Sequence, residues 1–405
     1  MRIKKGYILG FLLFCICGAG IFSSRWHTTR QKGVLGDKII YFGQSAGATD
    51  DSRDTGSDTG DVREEGMPVS TRGSAVRITQ GTAAPTSTPA ASTATPKPSY
   101  PAILSDEKAY TYDTGIVVVG NAGFEIYNYV SSAADRYAKT INKLTKTLDS
   151  GVQVYDMIAP TSMGITYPDN KRKHINSSSQ ETALINIEKK LSGRENFVPV
   201  YQALMAHRRE YLFFRTDHHW TQLGAYYAYE AFCREKGMTP NPLSAYRKKE
   251  YSGFRGTFYR DSKQNKNLKM DTLEAYYPIS GQVSVEYTSA EGKRGTVPLI
   301  SDVKEYGESM KYLAYIGGDN PYTVIQNKDK HDGTSCILVK ESYGNAFVPY
   351  LVDHYETIYV IDYRYWEGKL ASFVKKKRAK EVIILNNISM TRNSYLIGKL
   401  AQIIS

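Results

Sequence analysis

The chain has 405 residues, 41% of them hydrophobic, and a formal net charge of +11. That apolar share excludes a wholly unfolded chain, and the length admits two domains or one domain with appendages. The positive balance favours anionic surroundings, but its only dense runs, Lys171–Lys173 and Lys375–Arg378, lack the aromatic interleaving of a nucleic-acid reader; they read as solvated faces, with no nucleic-acid partner.

The N-terminus is basic over residues 1–6, a cytoplasmic tail. Residues 7–22 (YILGFLLFCICGAGIF) carry no charge. The run is shorter than the ~20 apolar residues of an ordinary spanning helix, and snorkelling flanks make up the difference. No A-x-A cleavage site follows, so it reads as an uncleaved, single-pass transmembrane anchor with the remainder of the chain outside the cell membrane. Residues 23–105 combine a Gly-rich acidic stretch with the tract AAPTSTPAASTATPKPSYP, a composition that cannot offset its ordering entropy; they read as a disordered Ser/Thr/Pro-rich tether.

From residue 106 to 405 the pattern is globular. GIVVVG (115–120) predicts a short buried strand, 133–148 a helix, VQVYDMIAP (152–160) a strand, and 181–191 a helix. YLFFR (211–215) predicts a strand, and Thr221 can N-cap a helix running to about Lys236. Residues 240–330 are polar and Tyr-rich, an insertion or cap with a possible strand pair near 282–288 and 294–300. SCILVK (335–340), TIYVID (357–362) and EVIILN (381–386) predict three more apolar strands. Alternating strands and helices with apolar strand runs imply an α/β fold whose parallel sheet is covered on both faces. Cys233 and Cys336 have no CxxC or Cys-His spacing, which argues against structural zinc; they read as two unpaired buried thiols, with a single disulfide as the alternative.

In such sheets ligand chemistry collects at the carboxyl ends of the strands. Those ends deliver Asp217-His218-His219-Trp220, then Glu341-Ser342-Tyr343-Gly344, then Asp362 and Arg364, then Asn386 and Asn387. A hydroxyl nucleophile, an imidazole base, a carboxylate to orient it and amide donors for an oxyanion form the set that acyl transfer through serine requires. Gly344 would let the backbone turn tightly and present an N–H to the oxyanion. Other readings stand beside this one. The Asp-His-His run could ligate manganese as in metal-dependent phosphoesterases, although no D-x-D follows an upstream strand, or it could be a packed polar turn. Trp220 could pack against the following helix or form a wall for a sugar ring. Asp362 and Arg364 could pair locally or bind an anionic substrate.

RTDHHWTQLGAYYAYEAF resembles the signature of the DHHW family of exported bacterial proteins and, more distantly, the D-x-H-W-[S/T] motif of SGNH-type O-acetyltransferases of the alginate-modifying kind. KESYGNAF resembles the matching nucleophile segment, D-S-[F/Y]-[G/S], with Glu341 where Asp is usual. The resemblance implies a three-layer SGNH- or flavodoxin-like parallel sheet with permuted motif order, since the serine follows the acid–base pair. It assigns Ser342 as nucleophile, His219 as base and Asp217 as its orienter. Asn386 or Asn387 would stand at the oxyanion, and neither cofactor nor metal is needed. The function expected is an O-acyltransferase or esterase acting on an extracellular polysaccharide or cell-wall glycan, with a membrane protein as a possible acyl donor. The alternative is a glycan- or wall-binding protein that keeps the fold without activity.

Overall fold

The computed structural model describes residues 100–404. The expected cytoplasmic tail, the anchor at 7–22 and the tether as far as residue 99 lie outside the described residues. Residues 100–105, at the end of the expected tether, lie against the domain: Ile103 N donates to Asp169 Oδ2 at 2.9 Å and Asp169 N donates back to Ile103 O at 2.7 Å. Among the described residues no helix is long and apolar enough to cross a membrane.

In chain order, β1 (Ala109–Thr111), β2 (Ile116–Val119) and β3 (Ala122–Glu125) lead to α1 (Ser131–Thr147), β4 (Gln153–Ala159), α2 (Ser162–Ile165), α3 (Gln180–Glu188), β5 (Asn196–Phe197) and α4 (Val200–Ala206). Helix α5 (Gln222–Lys236), β6 (Arg247–Phe254), α6 (Thr257–Asp261), β7 (Asp271–Tyr277), β8 (Val283–Thr288), β9 (Arg294–Val297) and β10 (Tyr322–Asn327) follow. The chain closes with β11 (Ser335–Lys340), α7 (Tyr343–Leu351), β12 (Thr357–Asp362), α8 (Leu370–Lys377), β13 (Glu381–Asn387) and α9 (Ser394–Ile404).

The main sheet has the order β5-β4-β13-β11-β12-β10-β8-β9. Strands β5, β4, β13, β11 and β12 pair in parallel, and β10, β8 and β9 extend the sheet antiparallel. Both faces are covered, which is why the parallel strands read as unbroken apolar runs. Successive side chains of β13 divide between two cores, Ile383 and Leu385 on one side, Val382 and Ile384 on the other. Helices α4, α5 and α7 pack on the first face, and α1, α3, α8 and α9 on the second. The result is the three-layer α/β arrangement expected from the sequence.

One expected strand forms outside the main sheet, and another expectation needs correction. GIVVVG does form a strand, β2, but in a separate antiparallel meander with β1 and β3. YLFFR is not a strand. Its backbone pairs with its own loop and with β3: Phe214 N donates to His219 O at 3.2 Å, Thr221 N to Leu212 O at 2.8 Å and Gly123 N to Arg215 O at 2.8 Å, leaving one isolated bridge between Phe213 and Trp220. Leu212, Phe213 and Phe214 still enter the core, and a short apolar run fits a buried loop as well as a strand. The strand pair expected near 282–300 is β8 and β9, which continue the main sheet, and Cys233 and Cys336 are free and buried.

Candidate active site

Ser342 lies at the carboxyl end of β11 and immediately before α7, so the strand fixes its position and the helix amino terminus faces it. Its hydroxyl donates toward His219 Nε2 at 2.8 Å and lies 3.2 Å from Glu341 Oε2. Glu341 is buried and ties the nucleophile turn to the end of β13, because its Oε1 accepts from Asn387 N at 3.0 Å. Burial raises the Glu341 carboxyl above its ordinary value, although Arg364 and His219 oppose that rise. Trp220 is fully buried, and its Nε1 donates to Tyr343 O at 2.9 Å. It joins the two motif segments and offers no wall for a sugar.

Gly344 does not make the tight turn expected of it. It sits in the first turn of α7, and its N–H donates to Glu341 O at 3.0 Å. Its lack of a side chain serves close packing, since a Cβ there would lie 2.6 Å from Lys340 Cβ.

The loop carrying Asp217 and His219 is built from outside. Asp271, at the start of β7, accepts from Arg215 N at 3.0 Å, Thr216 N at 2.8 Å and Thr216 Oγ1 at 2.5 Å. The turn between β6 and α6 then grips Asp217, whose Oδ2 accepts from Thr257 N at 2.9 Å and Thr257 Oγ1 at 3.2 Å. Gly256 permits this approach, because a Cβ there would fall 2.0 Å from Asp217 Oδ2. Asp217 Oδ1 accepts from His219 Nδ1 at 2.5 Å and His219 N at 3.0 Å. Tyr312 covers the other side of the imidazole, stacked at 3.8 Å between centroids and 12° between planes, and its hydroxyl donates to Ser342 O at 3.1 Å.

Asp217, His219 and Ser342 thus form one continuous hydrogen-bonded chain. Burial by itself would raise the Asp217 carboxyl, but the neighbouring imidazoles and the donors on both oxygens hold it well below the usual carboxylate range. His218 turns aside, with Nδ1 2.8 Å from Thr257 Oγ1; burial and the adjacent His219 depress its ring well below the ordinary histidine value. The serine and His219 open into a cavity of about 400 Å³. Arg364 lines it but is held by Asp362, at 2.8 and 2.6 Å, and by Asp319 at 2.8 Å, so the local ion pair is the one formed. Asn387 lines the cavity and Asn386 does not. Alternate residues of a strand face opposite sides, and the Asn386 side chain lies inside, near Tyr137.

A family model described as DHHW protein matches residues 103–361. The chain belongs to the DHHW family. A DHHW family protein from Eubacterium siraeum has a crystal structure similar to it, with 28% identity, 75% of this chain and 99% of that chain covered, and a TM-score of 0.67. Bacillus cereus PatB1 shares the fold at 19% identity and a TM-score of 0.58, over 72% of this chain and 99% of its own. The O-acetyltransferase domain of Pseudomonas putida AlgJ matches at 16% identity and a TM-score of 0.40, over 73% of this chain and 99% of that one. No curated protein sequence matches the chain.

In this DHHW protein the metal reading of the motif meets a chemical obstacle. Asp217, His218 and His219 do bring ligand atoms within 4.8 Å of one another. However, His219 spends Nδ1 on Asp217 and Nε2 on Ser342, and a metal would have to displace one of them. Thr257, Gly256, Asp271 and Tyr312, which hold the DHHW loop in place, were invisible to sequence reasoning. They lie on separate elements, and no spacing pattern links them to the motif.

Proposed function

We propose that this protein is a membrane-anchored, extracytoplasmic serine O-acyltransferase or esterase acting on a cell-surface or cell-wall glycan. The observation that carries the reading is the hydrogen-bonded chain from Asp217 through His219 to Ser342, opening into the cavity. His219 Nε2 takes the Ser342 proton as Oγ attacks the carbonyl of an acyl donor. The tetrahedral oxyanion is stabilised by the Ser342 N–H at the amino terminus of α7, with Asn387 on the cavity side. His219 returns the proton to the leaving group, giving an acyl-serine. An incoming hydroxyl, from a sugar or from water, then loses its proton to His219 and attacks the ester, and His219 returns that proton to Ser342 Oγ as it leaves. Transferase and esterase differ only in that last nucleophile. The anchor at 7–22 and the tether would hold the domain away from the membrane, beside its polymer.

The deciding experiment is hydrolysis of an activated acetyl ester by the full-length protein in detergent, together with covalent labelling by a sulfonyl fluoride. Ser342→Ala is expected to abolish labelling and to lower the hydrolysis rate by about 10⁴ or more. Equal rates in the two proteins would favour the non-catalytic alternative.

A further inference from the structure

Four Phe and Tyr side chains line the cavity. Phe258, Tyr312 and Tyr343 are buried, whereas Tyr365 keeps 46% of its surface exposed. Its position is held from below: Tyr365 N donates to Asp362 O at 3.1 Å, and the Arg364 guanidinium carbon lies 5.3 Å from the ring centroid. A single exposed aromatic ring is ordinary on a protein surface; what distinguishes Tyr365 is that it lines the cavity into which Ser342 and His219 open. It offers a flat, weakly polar face with a hydroxyl at its edge, which suits the C–H face of a pyranose.

Charge on the cavity wall narrows the ligand further. The two guanidinium groups there are both committed to carboxylates: Arg364 to Asp319 at 2.8 Å and Arg260 to Asp261 at 2.7 Å. Glu125 and Glu341 also line the wall. The sequence carries a formal net charge of +11, but the cavity wall carries as many acids as bases or more. A uronate or phosphate group entering it would be desolvated without gaining an unmatched cation. Sugar hydroxyls, by contrast, carry no charge to be matched and can share the remaining lone pairs of carboxylates that are already paired.

We infer that the cavity takes an uncharged, hydroxyl-rich sugar stacked on Tyr365 and discriminates against uronate- or phosphate-bearing chains. Naming that sugar as the acyl acceptor rests on the function proposed above; its binding does not.

The test is calorimetric titration of the full-length protein in detergent, with no acyl donor present. The probes are a trimer of β-1,4-linked N-acetylglucosamine, a trimer of β-1,4-linked glucose and a trimer of β-1,4-linked uronate. At least one neutral trimer is expected to bind about tenfold or more tightly than the uronate. Tyr365→Ala is expected to weaken that binding about tenfold, and Tyr365→Phe to retain it, with thermal unfolding of both variants checked against the parent. Uronate binding as tight as neutral binding, or no binding of either neutral trimer, overturns the inference even if the variants fold poorly. So does an unchanged affinity in folded Tyr365→Ala. A Ser342→Ala protein that hydrolyses the activated ester at the parent rate removes the acyl-transfer reading and leaves the titration result intact.

Discussion

Ser342 Oγ faces two acceptors, His219 Nε2 at 2.8 Å and Glu341 Oε2 at 3.2 Å, and the geometry favours the imidazole. If the three residues act as a unit, their losses do not add. Ser342→Ala and His219→Ala are each expected to cost about 10⁴ or more in ester turnover, and the double variant no more than the worse single one. Additive losses would mean that the two side chains act separately. Asp217→Asn should cost about 10⁴, because the carboxylate selects the tautomer that leaves Nε2 free to accept. A second residue-scale expectation concerns Asp156, which is fully buried and whose Oδ2 has no partner. Burial, despite the hydrogen bond from Tyr137, pushes its carboxyl from 3.8 up to about 7. The folded chain therefore keeps a proton that the unfolded chain releases, so this group's contribution falls as pH rises from about 4 to about 7 and then levels off. Glu125, likewise pushed up to about 7 by burial, acts in the same direction. Urea denaturation at stepped pH should show a shallower fall in Asp156→Asn; an unchanged slope would contradict the assignment. The Asp217, His219 and Ser342 positions were legible in sequence because each stands in a short motif. The sequence left Asn386 and Asn387 open as alternatives, because the side of a strand that faces a cavity is set by sheet register.

At the scale of elements, α5 behaves as its sequence suggests. Thr221 caps it, accepting from Gly224 N at 3.2 Å, and also donates to Tyr211 O at 2.6 Å. Thr221→Ala should therefore cost about 1–2 kcal/mol, measured by urea denaturation. The turn between β6 and α6 is the opposite case, a polar link whose importance only its contacts reveal. Gly256→Ala would drive a methyl into Asp217, and displacement of the orienting carboxylate should lower ester turnover about 10²-fold or more. Activity within twofold of the parent would show that the turn does not position the acid. Helices and parallel strands were readable because their periodicities and apolar runs are local. YLFFR misled because its backbone partners lie in its own loop, in β3 and on the Asp271 side chain.

At the scale of the whole molecule, the expected anchor and tether make a localisation prediction. The full-length protein should fractionate with membranes, and protease added outside intact cells should cut within residues 23–99 and release the domain; recovery in the soluble fraction would contradict the anchor. Within the domain, Lys340 is completely buried and pairs with Asp319 at 2.9 Å and Asp362 at 3.0 Å; despite burial, these carboxylates raise its pKa and keep it charged. This cluster links the loop before β10 to β11 and β12 beneath the cavity. Composition, strand runs and two short motifs were enough, by themselves, to determine an α/β domain with a serine at a strand end and an imidazole–carboxylate pair in a second motif, because those signals depend only on neighbours in the chain. Tertiary structure alone decided that β8, β9 and β10 extend the sheet, that Trp220 is a fastener, and that Gly256, Thr257, Tyr312 and Asp271 hold the loop. Each of those outcomes depends on which distant surfaces meet, and no local pattern records that.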